Sequence, residues 1–147
     1  MPGIVVGVDG SGHSRRALEW AAKEAAMRQV PLTVLTVHQA IRGYYGSVAA
    51  VYPEDQARTE DARVAAQAET EKMLAGLEGP RPEPVTVTAV HGFPVEELIM
   101  AGKDADMIVL GSRGAGGFTR LLMGSTAGQV AEHSHSPVLI VPPEDHS

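Results

Sequence analysis

With 147 residues, 44% of them hydrophobic and 20% charged, the chain has the size and composition of one globular domain with its own core. A net charge of −6 without any lysine or arginine stripe argues against nucleic acid as a partner, and no apolar run reaches the length of a membrane span. There is no cysteine, which excludes disulfides, thiol catalysis and cysteine-ligated metal and fits a reducing, cytoplasmic setting.

The first element is the run "IVVGV", Ile4–Val8, a predicted strand. The start "MPGIVVGVDGS" has no basic region ahead of a long apolar stretch, so no secretion signal is expected. From Ser14 to Arg28, Ala17, Leu18, Ala21, Ala22, Ala25 and Ala26 share one face at helical spacing. Their small side chains predict a helix lying close against a sheet. Leu32–Val37, "LTVLTV", is the second predicted strand. Residues 39–53 then form a longer loop that includes Tyr44 and Tyr45, read as a surface pair, with a cover over a bound base as the alternative.

A helix rich in Ala, Glu, Gln and Arg is predicted from Glu54 to Leu77, with a weak apolar stripe through Ala62, Ala66, Met73 and Leu77. "GPRPEP", Gly79–Pro84, is a stiff connector inside the domain. The strand "VTVTAV", Val85–Val90, alternates, which suggests an edge position. A short helix starts at Pro94, a good first-turn residue, and runs through Leu98 and Ile99 towards Gly102. "MIVL", Met107–Leu110, and "VLIV", Val138–Val141, are continuous apolar runs that suit strands buried on both faces. A helix from Ser125 to about His133 lies between them. The alternation βαβαβαβαβ predicts an α/β fold, an open parallel sheet with helices on both faces.

Residues 110–128, "LGSRGAGGFTRLLMGSTAG", hold six of the chain's sixteen glycines. They follow a strand and run into a helix, so they lie where ligands of open parallel sheets sit. Gly111, Gly114 and Gly124 would let an anion approach the backbone, and Ser125 and Thr126 add hydroxyl donors at the positive end of a helix. Arg113 and Arg120 could supply positive charge. Any single glycine is explained by a tight turn, and Ser125 by helix capping. The whole set is better explained by a phosphate group. It is not a P-loop, since no Gly-Lys-Ser/Thr occurs, nor a dinucleotide fingerprint, since "GVDGSG" after the first strand has the wrong spacing.

Asp9 closes the first strand and would face the glycine loop across the switch point of the sheet. It either accepts hydrogen bonds from a ribose or an adenine amino group, or simply caps the turn that follows. Val37 could offer backbone groups to a base, but on its position alone reads better as a core valine. His13, His38, His91, His133, His135 and His146 show no metal spacing and are read as structural or surface residues. No Ser-His-Asp arrangement is suggested.

The chain resembles the universal stress protein family, in its ATP-binding branch, over nearly its whole length. The resemblance rests on "IVVGVDGS", "VLTVH", "HGFP", "IVLGSRG", "LLMGSTAGQVAEHS" and "SPVLIVP", and on the spacing Gly111-x2-Gly114-x9-Gly124-Ser125. It implies a single-domain, five-stranded parallel sheet of order 3-2-1-4-5 that binds ATP, with or without Mg, or a related adenine nucleotide such as cyclic AMP. By the same resemblance Asp9 would contact ribose or base, and Val37 would meet adenine through its backbone. Leu110, Gly111, Arg113 and Gly114 would line the ribose and phosphate region. Gly124, Ser125 and Thr126 would hold the phosphates, although Thr126 stands where valine is common. Family members also dimerise through the last strand, here Val138–Val141.

Three functions follow for comparison. The leading one is a stress or regulatory protein whose nucleotide-bound state is its output. The second is a slow ATPase or phosphotransferase, against which stands the lack of any obvious base, catalytic lysine or magnesium carboxylate cluster. The third is a ligand-free dimeric interaction module, against which stands the intact glycine motif.

Overall fold

The computed structural model describes residues 3–10, 12–40, 53–112 and 125–143. Nine elements alternate along the chain. They are β1 (Ile4–Val8), α1 (Gly12–Arg28), β2 (Leu32–Gln39), α2 (Pro53–Ala75), β3 (Val85–Gly92), α3 (Pro94–Ala101), β4 (Met107–Gly111), α4 (Ser125–His133) and β5 (Val138–Val141). The five strands form one parallel sheet of order β3-β2-β1-β4-β5, as the family resemblance implies.

Side-chain alternation divides the core into two layers. Ile4, Val6 and Val8 of β1, Leu32 and Val34 of β2 and Val109 of β4 face α1 and α2. Val5, Leu35, Ile108 and Leu110 face the opposite way, towards Leu98 of α3 and Ala127 and Val130 of α4. On α1 the predicted alanine stripe is the contact surface: Ala17, Leu18, Ala21, Ala22 and Ala25 are all buried. Side chains of one carbon allow the helix axis to approach the sheet closely enough for this packing.

On α2 the buried residues are Ala66 and Thr70, with Met73 and Leu77 partly covered. Thr70 was absent from the predicted stripe because its hydroxyl reads as polar. It is tolerated at 1% exposure because its Oγ1 donates to the Ala66 carbonyl at 2.7 Å, so no polar atom is left unsatisfied.

Strands β2 and β3 each run two residues further than predicted, to Gln39 and Gly92, pairing in register through His38↔His91 and Gln39↔Gly92. β3 occupies an edge, as its alternation suggests. β5 does not fit the reading of "VLIV" as doubly buried. It is the other edge, and Val138, Leu139 and Ile140 are only half-buried. An apolar run has the same appearance in the middle of a sheet and at an apolar edge, so composition alone cannot separate the two.

Helix α1 ends in a Schellman motif. The Val30 N–H donates to the Ala25 carbonyl and the Gln29 N–H to the Ala26 carbonyl, at 3.0 and 3.2 Å. The motif requires a left-handed residue, and Gln29 takes that place with φ 58°. A side chain there is strained where glycine is not. Gln29→Gly is therefore expected to raise stability by roughly 0.5–1 kcal/mol, the relief of strain exceeding the added freedom of the unfolded chain. Urea unfolding checks this, and a lower midpoint would contradict the strain argument.

Candidate functional site

The candidate site is the carboxyl edge of the sheet around β1. Val6 lies level with Val109 of β4, and Val8 with Thr36 of β2. Three adjacent strands therefore end together, and the residues just beyond them are neighbours. Asp9 follows β1, Gly111 closes β4, and Val37 extends β2 one residue past the end of its pairing with β1. Because β4 and β5 are parallel, α4 must start at this same edge and run back to the other. Its first residues, Ser125 and Thr126, so join the group. The structure thus brings Asp9, Val37, Gly111, Ser125 and Thr126 to one end of the sheet. Arg113, Gly114 and Gly124 lie outside the described residues, as do Tyr44 and Tyr45.

Asp9 is exposed, and its backbone N–H donates to the Oγ of Ser14 at 3.3 Å. Ser14 is itself buried in the first turn of α1, so this bond ties the end of β1 to the start of the helix. The sharp exit is made at Gly10, whose φ of +82° few other residues would accept. The backbone bond to Ser14 and the left-handed Gly10 together fix where Asp9 sits at the carboxyl end of β1.

Leu110 is a core residue at 5% exposure. A Cβ added at Gly7 would stand 2.7 Å from its Cδ2 and 2.9 Å from Cδ2 of Leu98, so Gly7 exists to admit these two leucines. Only the backbone of Leu110 remains for a ligand at the edge. Val37 is half-buried and packs against the layer formed with α3 and α4, again leaving its backbone as the polar part.

Ser112, which sequence reasoning passed over, is 6% exposed, and its N–H donates to the Val141 carbonyl at 3.0 Å. It anchors the start of the glycine segment to β5. The signal available was a small polar residue directly after an apolar strand.

The helix ends differ in charge. α2 begins with Glu54 and Asp55, and α3 with Glu96 and Glu97, acids that complement their own dipoles. α1 and α4, which start beside the crevice, have no acid in their first turns. No acid of their own first turns complements these two N-terminal dipoles. On the far exposed face of α2, the hydrogen bond from Arg63 holds the Glu60 carboxyl below its usual range; this is a surface pair unconnected with the crevice.

The histidines are not all isolated. His38 and His91 pair across β2 and β3, with ring centroids 5.2 Å apart, and both approach Asp55 of α2. Sequence spacing gave no sign of this, since the three residues lie on separate elements.

An open sheet of this order defines a doubly wound α/β protein whose topological switch point lies between β1 and β4, the place where ligands of such sheets sit. The family model of the Universal stress protein family matches residues 2–142, and the chain belongs to that family. A universal stress protein of Mycobacterium tuberculosis is 36% identical over 153 aligned positions, covering 97% of this chain and 48% of that protein. One of Mycolicibacterium smegmatis is 32% identical over 146, covering 99% and 49%. The chain thus spans about half the length of these curated relatives.

Among solved structures, the universal stress protein UspA from Lactobacillus plantarum superposes with a TM-score of 0.76 at 22% identity, covering 95% of this chain and 97% of its own. A universal stress protein solved in complex with cAMP is 26% identical with a TM-score of 0.67, covering 97% and 98%. The one from Archaeoglobus fulgidus in complex with dAMP is 26% identical with a TM-score of 0.61, covering 95% and 97%. Among the described residues no helix is long and apolar enough to cross a membrane.

Proposed function

We propose that this chain binds an adenine nucleotide, ATP in the first instance, at the carboxyl edge of its sheet, and that the bound state rather than turnover is its output. The observation that carries this reading is the convergence of Asp9, Val37, Gly111 and the acid-free start of α4 at the ends of three adjacent strands. The cAMP and dAMP complexes of two 26%-identical family members support an adenine nucleotide as the ligand class. In this reading the Val37 backbone meets the base and Asp9 the ribose or base. Leu110 and Gly111 offer backbone, and the segment from Arg113 and Gly114 to Gly124, Ser125 and Thr126 holds the phosphates. Hydrogen bonds to charged groups contribute roughly 1.5–3 kcal/mol each, so four of them offset much of an association cost of about 4–15 kcal/mol.

Calorimetry with ATP, cAMP and dAMP tests the proposal, and failure of all three to bind refutes it. Asp9→Ala is expected to weaken ATP and adenosine alike, by roughly tenfold or more, the loss of one charged hydrogen bond. A loss confined to ATP would move Asp9 to the phosphates and favour an enzyme. Purified protein is expected to hydrolyse ATP far below the roughly 1–100 per second of protein kinases.

We also infer a homodimer through β5. The Ile108 N–H donates to the Pro137 carbonyl and the Ser112 N–H to the Val141 carbonyl, so alternate residues of β5 face β4. Val138 and Ile140 then turn their N–H and C=O groups to the open edge. A second copy related by a two-fold axis can pair with those groups, and Pro137 and Pro142 limit the contact to the segment between them. Ile140→Pro removes an outward donor that the protomer's own sheet does not use. It is expected to give a folded monomer by light scattering where wild type is a dimer. A monomeric wild type at high concentration overturns this part.

A further inference from the structure

The nucleotide reading leaves one group of chemically capable side chains unused. His38 is the penultimate residue of β2 and His91 that of β3, and the in-register pairing of these strands sets the two opposite each other. Both lie on the face that carries Leu32 and Val34, the face covered by α2. Their rings stack with an interplanar angle of 28°. The first turn of α2 brings Asp55 over them. Its Oδ1 lies 3.2 Å from Nε2 of His38 and 3.9 Å from Nε2 of His91. One donor atom from each of the three residues falls within 4.8 Å of the other two. The side chains are 23%, 21% and 14% exposed for His38, Asp55 and His91, which is sheltered but open to entry from solvent.

We propose that His38, Asp55 and His91 form a site for a divalent transition-metal ion of the zinc class. Zinc bonds to imidazole nitrogen and carboxylate oxygen are about 2.0–2.2 Å long, so donors around a tetrahedral ion are roughly 3.3–3.5 Å apart. The two donor separations from Asp55 Oδ1 straddle that spacing, and the two imidazole donors lie within 4.8 Å of each other, so small side-chain rotations bring the three atoms around one ion. Two imidazoles and one carboxylate suit zinc, cobalt, nickel or copper, whereas magnesium and calcium take oxygen ligands. Three protein ligands leave a fourth position for water.

The donors also stand on rigid elements, two paired strands and a helix, which limits the ordering needed for binding. Thr59 Oγ1 donates to the Asp55 carbonyl at 2.7 Å, reinforcing the turn that carries the carboxylate. A bound ion would join the end of β2 to the start of α2, closing the chain between residues 38 and 55. His38 is adjacent to Val37, so the same ion would brace the strand end that the nucleotide reading assigns to the base.

The test uses the untagged 147-residue chain, stripped of metal and nucleotide, titrated with Zn2+ alone by calorimetry and with Co2+ alone by visible absorption. Leaving out nucleotide keeps the result independent of the ATP proposal. Wild type is expected to bind one Zn2+ per chain and to give Co2+ the strong visible bands of a tetrahedral site. His91→Gln and Asp55→Asn, checked for folding by circular dichroism, are expected to lose at least about tenfold in affinity, the effect that even an outer-shell partner can have on a metal site. His135→Gln, at an exposed position away from the three residues, is expected to bind as wild type does. Absence of Zn2+ and Co2+ binding by wild type overturns the proposal and leaves a hydrogen-bonded His-Asp-His group. Weak binding equal in all four proteins overturns it too, as adventitious surface ligation. If a variant fails to fold, the wild-type stoichiometry and the Co2+ spectrum still decide.

Discussion

Gly114→Val is expected to lower ATP affinity by about a hundredfold or more while the protein stays folded. Gly114 lies outside the described residues, between two described elements. β4 ends at Gly111 at the carboxyl edge, and α4 begins at Ser125 on the same side. The chain between them leads into the positive start of α4, where backbone N–H groups without intrahelical partners can meet a phosphate. A branched side chain in that segment would stand between backbone and anion. Losing two charge-assisted hydrogen bonds removes roughly 3–6 kcal/mol, and each 1.4 kcal/mol is about tenfold in affinity. The core residues of β4 and α4 lie outside the substitution, so circular dichroism should be unchanged. Calorimetry of the variant with ATP measures the effect; a folded variant with wild-type affinity removes the phosphate role from this segment.

The largest loss of stability is expected at Ile108. It is fully buried in β4, pairs with Val5 of β1 and Val138 of β5, and belongs to the layer under α3 and α4. Ile108→Ala deletes atoms from a region with little freedom to collapse, and buried Ile→Ala changes cost about 2–5 kcal/mol. Against a typical domain stability of about 5–15 kcal/mol this is a large share, and thermal unfolding should begin roughly 10 °C lower.

Its neighbour supplies an internal control. A Cβ at Gly102 would collide with Cδ1 and Cγ1 of Ile108, and would also lie 3.2 Å from the Leu98 carbonyl oxygen. Gly102 itself ends α3 with φ −87° and ψ 0°, a conformation alanine accepts. Gly102→Ala should therefore destabilise wild type through the clash alone. In the Ile108→Ala background the clashing atoms are gone and the added methyl enters the vacated space. The double variant should be more stable than the two single losses predict, by about 1 kcal/mol or more. Strict additivity in denaturant unfolding would show that the two side chains do not share this space.

Much of the fold could be read from local pattern. The strands β1, β4 and β5 and the helices α1 and α4 announce themselves through apolar runs and alanine spacing. α3 does so through Pro94 at its first turn and Gly102 at its end. The order 3-2-1-4-5 came from the family resemblance, and the structure has it. Asp9 and the glycine segment were legible as candidates because residues at the carboxyl ends of adjacent parallel strands must be near one another. What pattern could not separate was backbone from side chain. Leu110 and Val37 belong to the edge through their peptide groups and to the core through their side chains.

The amino-acid sequence by itself determined the class of fold and its α/β alternation, and it named the glycine segment as a candidate for an anion. These depend on periodicity, on glycine and proline placement and on chain order, all of which are local properties. Tertiary structure alone decided which face each strand residue occupies and what it meets there. Thr70 is buried because α2 packs against β2 and β3, its hydroxyl then being satisfied by the Ala66 carbonyl. Val138 and Ile140 face an open edge because β4 pairs with their neighbours. His38, Asp55 and His91 gather because the β2–β3 register and the start of α2 coincide in space. Each of these depends on the register and docking of elements far apart in the chain, and no spacing along a single element encodes it.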